Sequence, residues 1–323
     1  YRTLHRKSGI CPDEALSGRT SDPDTQRDAD LLTRKSEMPS RKNVGHWTRS
    51  GCKGDCDRRL CGFWKKRRQS CGIVSYIMEE TKMEEITKKI ADRFGCSYRV
   101  FEKGSSPKLA EEAWHAAFEE AKTTGGFYPA LLCLDEYAVE WLMETGADTD
   151  DRQKIIDSCQ DNGKKLLEEW YESHTEYVEE GEEEGFIGTE TEGDILHEFT
   201  GYCSFRDRTL EADTILFKIP VRHPWEIIAY LPMGGWNECP GPEEMMSVCK
   251  YWYEKYEAVP AVFTHDVMEF YAPKGLNGVD PIEAAKEHYA FCNDRVDQGT
   301  RTYTISELAA GLAQSDVWYF WWD

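Results

Sequence analysis

The chain has 323 residues, of which 40% are hydrophobic and 12% aromatic, enough apolar material for one large or two modest folded domains. Its mean hydropathy is -0.66, and no run approaches the ~20 apolar residues of a membrane-spanning helix, which argues against a membrane protein. The net charge of -21 argues against nucleic-acid binding, and twelve cysteines without a disulfide-scaffold pattern predict a reduced, cytoplasmic protein.

The N-terminal residues 1–77 differ in character from the rest of the chain. Residues 1–72 contain 17 Lys and Arg against 9 Asp and Glu, whereas the remainder contains 22 against 51. This segment lacks a sustained helical or strand period, which predicts a disordered basic extension or upstream sequence foreign to the native protein. A zinc site is a weaker alternative, because the gaps between its cysteines do not form the close pairs that zinc sites use. Its ligands would be drawn from His46, Cys52, Cys56, Cys61 and Cys71.

Residues 78–194 are predicted to form a helix-rich N-terminal part. Apolar stripes and capping residues predict helices that start at Met83, after Ser106, after Asp135 and at about residue 150, the last running to residue 171. Short strands are predicted at 98–101 and 129–134, and the second is a continuous apolar run expected to be buried on both faces.

An acidic linker closes this part. Residues 168–192 are dominated by Glu, and like charges at this density are expected to repel each other and extend the chain. The preferred interpretation is a solvated helix end and linker, and the alternative is a site for a basic partner or a cation.

Residues 195–323 are predicted to form an α+β domain. Strands are expected at 215–220, 227–231, 259–263, 267–271 and 318–322. Helices are expected after Pro242, after the N-cap Asp280 and after the N-cap Thr304. The last strand has aromatic residues on both sides, which is typical of a central strand, and Glu269 falls on the polar side of a half-buried one. The fold class is therefore a mostly antiparallel sheet covered by helices.

A glycine-rich loop at 234–240 links the strand predicted at 227–231 to the helix at Pro242. Its two glycines permit backbone angles closed to other residues, so the loop is predicted to be a rigid corner. Trp236 is its expected anchor and Asn237 its hydrogen-bonding turn residue. Trp236, Asn237 and Glu238 are binding candidates on condition that the turn carrying His265 folds next to them.

The residues of this block resemble those of a bacterial family of domains of unknown function, family 4253. The resemblance is strong over the C-terminal ~100 residues and looser back to about Tyr128. It rests on the loop 234–240, Thr264-His265-Asp266 with Glu269, Glu287-His288-Tyr289, Asp297-Gln298-Gly299 and the aromatic C-terminus. Asn293 stands where the family pattern has Pro. The resemblance implies a shared fold and a soluble bacterial-type protein, and it implies no activity.

A hydrolytic metal centre is the main catalytic hypothesis. It needs His and carboxylate side chains that converge with an open coordination position. The candidates are His265, Asp266, Glu269, His288 and Asp297. Turn chemistry also explains Asp266, and His288 also suits a core position beside an apolar helix face. Cys239 is a weaker candidate nucleophile, because a buried Cys is commonly a small hydrophobe.

The leading functional prediction is a non-enzymatic interaction module that meets a basic protein partner through its acidic surface. An immunity or antidote role is its narrower form, by analogy with small acidic bacterial proteins. The alternative is a metal-dependent hydrolase, so the sequence leaves open whether the protein is an enzyme. No cofactor is predicted, except a divalent metal under the alternative, and neither nucleic acid nor a membrane is an expected partner.

Overall fold

The structure is a computed structural model that describes residues 83–145, 149–179 and 181–322. The extension predicted at residues 1–77 and the zinc alternative at His46 lie outside the described residues. Within the described ranges, every helix is too short or too polar to cross a lipid bilayer.

The helices of the described residues include those predicted to start after Ser106, Asp135, Asp280 and Thr304. They are α1 (Met83–Phe94), α2 (Pro107–Thr124), α3 (Glu136–Thr145), α4 (Thr149–Ser158), α5 (Gly163–His174), α6 (Glu183–Ile187), a 3-10 helix (Pro224–Ala229), α7 (Pro242–Tyr256), α8 (Pro281–Phe291), α9 (Asp294–Asp297) and α10 (Ile305–Leu312). Asp280 accepts the N–H of Ile282 at 2.8 Å, and Thr304 accepts the N–H of Glu307 at 3.4 Å. Both are N-caps of the predicted kind.

The strands form one sheet in the described part of the chain. They are β1 (Tyr98–Phe101), β2 (Tyr128–Cys133), β3 (Thr214–Ile219), β4 (Val259–Phe263), β5 (Val267–Tyr271) and β6 (Val317–Trp321). Their order is β1-β3-β2-β4-β5-β6, and every pairing is antiparallel except β2 with β4. The predicted α+β class with a mostly antiparallel sheet is confirmed. The parts predicted at 78–194 and 195–323 both contribute strands to this sheet.

Different elements cover the two faces of the sheet. On the α2 face, α2 and residues 196–212 pack over side chains that include Leu131 and Val262. On the α7 face, α1, the 3-10 helix, α7, α8 and α10 enclose the larger core, which includes Phe263 and Phe270. The strand β2 is buried on both sides, as predicted from its continuous apolar run.

The prediction of a strand at 227–231 is wrong, because residues 227–229 lie in the 3-10 helix Pro224–Ala229 and residues 230 and 231 form a turn and a bend after it. Pro224 presets a helical backbone angle at its first position. The Glu226 carboxylate accepts the N–H groups of Arg222 at 2.8 Å and His223 at 3.1 Å. These bonds satisfy N–H groups at the start of the helix, so local capping outweighs the strand preference of the apolar run.

The single helix predicted from residue 150 to residue 171 is also wrong, because it is divided into α4 and α5. The division falls at Gly163, the first residue of α5. A Cβ on Gly163 would lie 2.3 Å from the carbonyl oxygen of Ser247 in α7. Close approach of two helix backbones therefore fixes the start of α5, which the apolar period cannot show.

The last strand, β6, is at the edge of the sheet and not at its centre as predicted. The carbonyl of Leu196 accepts the N–H groups of Asp316 and Val317, both at 3.2 Å, and covers the start of this edge. Trp318 and Phe320 are fully buried on the α7 face. Because a neighbouring segment covers part of this edge, β6 can be as aromatic as a central strand.

The acidic segment at 168–192 is folded against the domain and not extended as predicted. Its Tyr177 hydroxyl lies 3.3 Å from that of Tyr289, and the Phe186 ring packs edge-on against Tyr289 at 5.3 Å. Glu190 accepts hydrogen bonds from Thr304 and Ser306 at the start of α10. Aromatic and hydroxyl contacts therefore anchor the segment despite its charge.

Candidate functional site

The hairpin turn between β4 and β5 is tightly held and presents His265 at its tip. The Thr264 hydroxyl oxygen accepts the N–H of Val267 at 2.8 Å and that of Asp266 at 3.2 Å, and it donates to Asp266 Oδ1 at 2.9 Å. Asp266 Oδ2 also accepts the indole N–H of Trp321 at 2.9 Å. The Thr264 hydroxyl therefore caps the turn, and not the Asp266 side chain as turn chemistry predicts. The Asp266 carboxylate accepts from that hydroxyl and anchors the turn to the edge strand.

His265 lies between two carboxylates. Its Nδ1 is 2.9 Å from Asp135 Oδ2, and its Nε2 is 3.3 Å from Asp266 Oδ2. Burial lowers the pKa of His265, but the hydrogen bond and charge of Asp135, with the charge of Asp266, outweigh it and raise the pKa above the ordinary value. With both ring nitrogens facing carboxylates, the imidazolium form is favoured. The His265 ring links Asp135 to Asp266, and neither of its nitrogens is left free to act as a general base.

The parallel pairing of β2 and β4 brings Asp135 to His265. Leu132 pairs with Phe263, so the two strands end at the same edge of the sheet. Asp135 follows β2 and caps α3 by accepting the N–H of Ala138 at 2.8 Å. Its second oxygen is left for His265. The cap therefore fixes the orientation of the carboxylate that faces His265.

Two adjoining cavities open beside this turn. The Asp135 cavity has a volume of about 530 Å³ and is lined by Lys103, Asp135, Tyr137 and Asp213 among others. The Arg295 cavity has a volume of about 660 Å³ and lies over β5 and β6 on the α2 face. Gly201, Glu211, His265 and Asp266 line both. Cavities of this size accept small molecules or a protruding side chain of a partner.

Glu269 is fully buried and not on a half-exposed strand as predicted. Its carboxylate accepts the N–H groups of Thr200 at 2.8 Å and Gly201 at 3.1 Å, together with the Thr200 hydroxyl at 3.2 Å. Burial raises the pKa of Glu269 to about 7 although these donors lower it. The Glu269 side chain points to the α2 face of the sheet, where these hydrogen bonds hold the loop at 199–201.

His288 lies on the opposite face of the sheet from Glu269. It is fully buried, with ring centroids 5.3 Å from Trp252, 4.6 Å from Trp318 and 4.9 Å from Phe320. Burial lowers the pKa of His288 well below its ordinary value, with the charge of Arg295 acting in the same direction. A neutral imidazole in an aromatic core on the α7 face cannot act together with Glu269, which faces the other side.

The other candidates are separated from the His265 turn. Asp297 is exposed at the end of α9. Asn237 and Glu238 line a depression with residues of α9 that does not include His265, and Asn293 donates a hydrogen bond to Glu238. Trp236 packs against the larger core, as an anchor does. The structure therefore keeps Asp266 beside His265 and places the remaining candidates elsewhere.

Metal and thiol chemistry have little geometric support at this edge of the sheet. In residues 83–145, 149–179 and 181–322, no three His, Cys, Asp or Glu side chains are placed to hold one metal ion. Cys239 is buried, and burial raises the pKa of its thiol far above the ordinary value. A thiol of this kind is a core side chain and not an activated nucleophile.

Sequence reasoning missed the site residues supplied by other elements. Asp135 was identified only as a helix cap, and Arg295 and Gly201 were not singled out. The available signal for Asp135 was its position directly after a strand that is buried on both faces, where polar side chains gather at a sheet edge. No sequence signal indicates that Arg295 lines a cavity, because that depends on how α9 packs.

The protein has an α+β fold. Its two adjoining cavities together form a cleft at one end of the central strands β2 and β4. Residues 215–323 match the family model described as Domain of unknown function (DUF4253), which confirms the resemblance for these residues. The match starts in β3 and includes the His265 turn. No curated protein and no solved structure matches the chain.

Proposed function

We propose that this protein is a non-catalytic interaction module that binds a basic protein partner through an acidic belt, residues 168–194. The belt contains twelve Asp and Glu and neither Lys nor Arg. Glu168 and Glu169 pair with Lys164 and Lys165. Among the described residues, no Lys, Arg or His side chain lies within ion-pair distance of the belt's exposed carboxylates at 172, 176, 179, 182 and 184.

The packing of the belt is the observation that carries this proposal. Its aromatic and hydroxyl anchors hold a dense set of uncompensated charges on a folded surface and not on a free tail. A preorganised surface loses less conformational entropy on binding than a flexible one. A single-signed field of this kind also steers an oppositely charged partner and raises the association rate.

The belt ends at the rim of the cleft, because Asp194 lines the Arg295 cavity. Other carboxylates continue around the two cavities, at Asp135, Glu211 and Asp266. Basic side chains of a partner that meets the belt would therefore find further negative charge beside the His265 turn. An immunity or antidote role is the narrower form of this proposal and rests on analogy alone.

The test compares two variants with the same net charge, each with five exposed Glu→Gln substitutions. The belt variant changes Glu172, Glu176, Glu179, Glu182 and Glu184, and the control variant changes Glu102, Glu112, Glu243, Glu244 and Glu254. Binding of poly-L-lysine at low salt is measured by stopped-flow. We expect the association rate constant of the belt variant to fall at least about tenfold below that of the control variant, with the difference shrinking in high salt. Equal rates for the two variants would show that net charge alone is responsible.

A further inference from the structure

The Arg295 cavity combines apolar walls with charged side chains, among them Arg295 and His265. Its walls include Leu196, Val267, Leu308, Tyr319 and Trp321, and Phe205 at its mouth is 92% exposed. Apolar walls with few polar groups are the usual construction of a small-molecule site. An apolar side chain as exposed as Phe205 also has surface available for contact with an occupant.

Arg295 is the unusual group in this cavity. Its Nε is buried and has no hydrogen-bond partner, and its guanidinium is in no ion pair within the described residues. Arg295 as a whole is only half-buried. Arginine keeps its charge in proteins, and its guanidinium favours an anionic partner. The missing partner is therefore the observation that needs an explanation.

Two of the four carboxylates that line the cavity, those of Asp266 and Glu307, already have hydrogen-bond partners. Glu307 accepts hydrogen bonds from Arg301 Nε at 3.1 Å and from the N–H of Thr302 at 2.8 Å. Asp266 accepts from Trp321 and lies beside His265. The charge of Asp194 also acts on Arg295, but within the described residues no carboxylate lies at ion-pair distance from its guanidinium.

We propose that the Arg295 cavity binds a small organic acid with an apolar body. The carboxylate would pair with the Arg295 guanidinium, whose planar fork matches two carboxylate oxygens. The apolar body would lie against Leu308 and Trp321. A monocarboxylate is favoured over a phosphate, because one guanidinium balances one negative charge. The carboxylates of Asp194, Glu211, Asp266 and Glu307 repel any anion, and they repel a dianion more strongly than a monoanion.

The test uses phenylacetate and its neutral analogue phenylacetamide, which have the same shape. Binding to the full chain is measured by calorimetry. We expect phenylacetate to bind at least about tenfold more tightly than phenylacetamide, because a hydrogen-bonded charge pair is lost in the amide. Equal affinities, or no binding of phenylacetate, would overturn the proposal. Displacement of phenylacetate by inorganic phosphate at lower concentration would also overturn it.

Variants locate the effect at Arg295. Arg295→Met should remove the preference for the acid, and Arg222→Met, at an exposed arginine outside this cavity, should retain it. Arg295→Lys keeps the charge without the fork, so its preference should lie between those of the wild type and the methionine variant. An unchanged preference in both Arg295 variants would refute the assignment. The belt variant should bind phenylacetate normally, so this inference and the proposed function can fail separately.

Discussion

The carboxylate of Glu269 accepts the backbone N–H of Gly201 at 3.1 Å, and Gly201 lines both cavities beside the His265 turn. A fully buried acid on the strand β5 thus holds the loop that the two cavities share. The N–H of Thr200 donates to the same carboxylate at 2.8 Å. The neighbouring N–H of Phe199 donates to Glu111 at 3.1 Å. The three consecutive N–H groups of residues 199–201 therefore donate hydrogen bonds to two acidic side chains.

The first prediction concerns the pH dependence of stability. Burial raises the pKa of Glu269 from 4.5 to about 7. Its contribution is fully present below pH 4.5, where the group is protonated in both states, and it is lost as the pH rises through 7. We expect the free energy of unfolding of the wild type, relative to Glu269→Gln, to fall by about 3 kcal/mol over this range. Urea unfolding at several pH values measures it, and a constant difference would contradict it.

The second prediction concerns the pair of His265 and Asp135. Because the hydrogen bond and charge of Asp135 help to raise the pKa of His265 against the effect of burial, Asp135→Asn should lower that pKa. The ring protons of His265 report it in an NMR titration. Asp213→Asn is the matched control, since Asp213 lines the same cavity but binds the N–H of Lys103. A titration curve that does not move in Asp135→Asn would contradict the arrangement.

The sequence predictions are accurate mainly for elements that depend on interactions between residues close together in the chain. The caps at Asp280 and Thr304 were predictable because an N-cap needs only partners two or three residues further along the chain. The hairpin of β4 and β5 was predictable for the same reason. The 3-10 helix was missed although its cap is local, because the apolar run after Pro224 also fits a strand.

The site was predictable only in part because its contacts are long-range. Asp135 and His265 are 130 residues apart, and the parallel pairing of β2 with β4 that joins them leaves no local signature. The two-residue period of β5 correctly separates Glu269 from Phe270. It does not show that residues 196–212 bury the Glu269 side of the strand. His288 was expected beside an apolar face, and it lies within the core.

The third prediction concerns His288. Both of its ring nitrogens are buried without a hydrogen-bond partner. His288→Phe removes these polar atoms from an aromatic surrounding, so we expect the free energy of unfolding at neutral pH to rise by about 1 kcal/mol. The pKa of His288 is lowered in the fold, so the stability of the wild type should fall below pH 6.5 relative to the variant. A loss of stability in the variant at neutral pH would contradict this account.

The fourth prediction separates two acids of α8 that contact the same lysine. Glu287 is buried and accepts hydrogen bonds from Tyr251 at 2.8 Å, Trp252 at 3.1 Å, Lys255 at 2.7 Å and Tyr256 at 2.9 Å. Glu283 accepts from Lys255 alone in the described structure, and its side chain is 56% exposed.

We therefore expect Glu287→Gln to cost about 3 kcal/mol of unfolding free energy, because it replaces a charged acceptor of four donors by a neutral amide. Glu283→Gln should cost less than about 1 kcal/mol, because an exposed pair is screened by solvent. Urea denaturation of both variants at neutral pH makes the comparison. Equal losses would show that Glu287 is not the acceptor on which the packing of α7 against α8 depends.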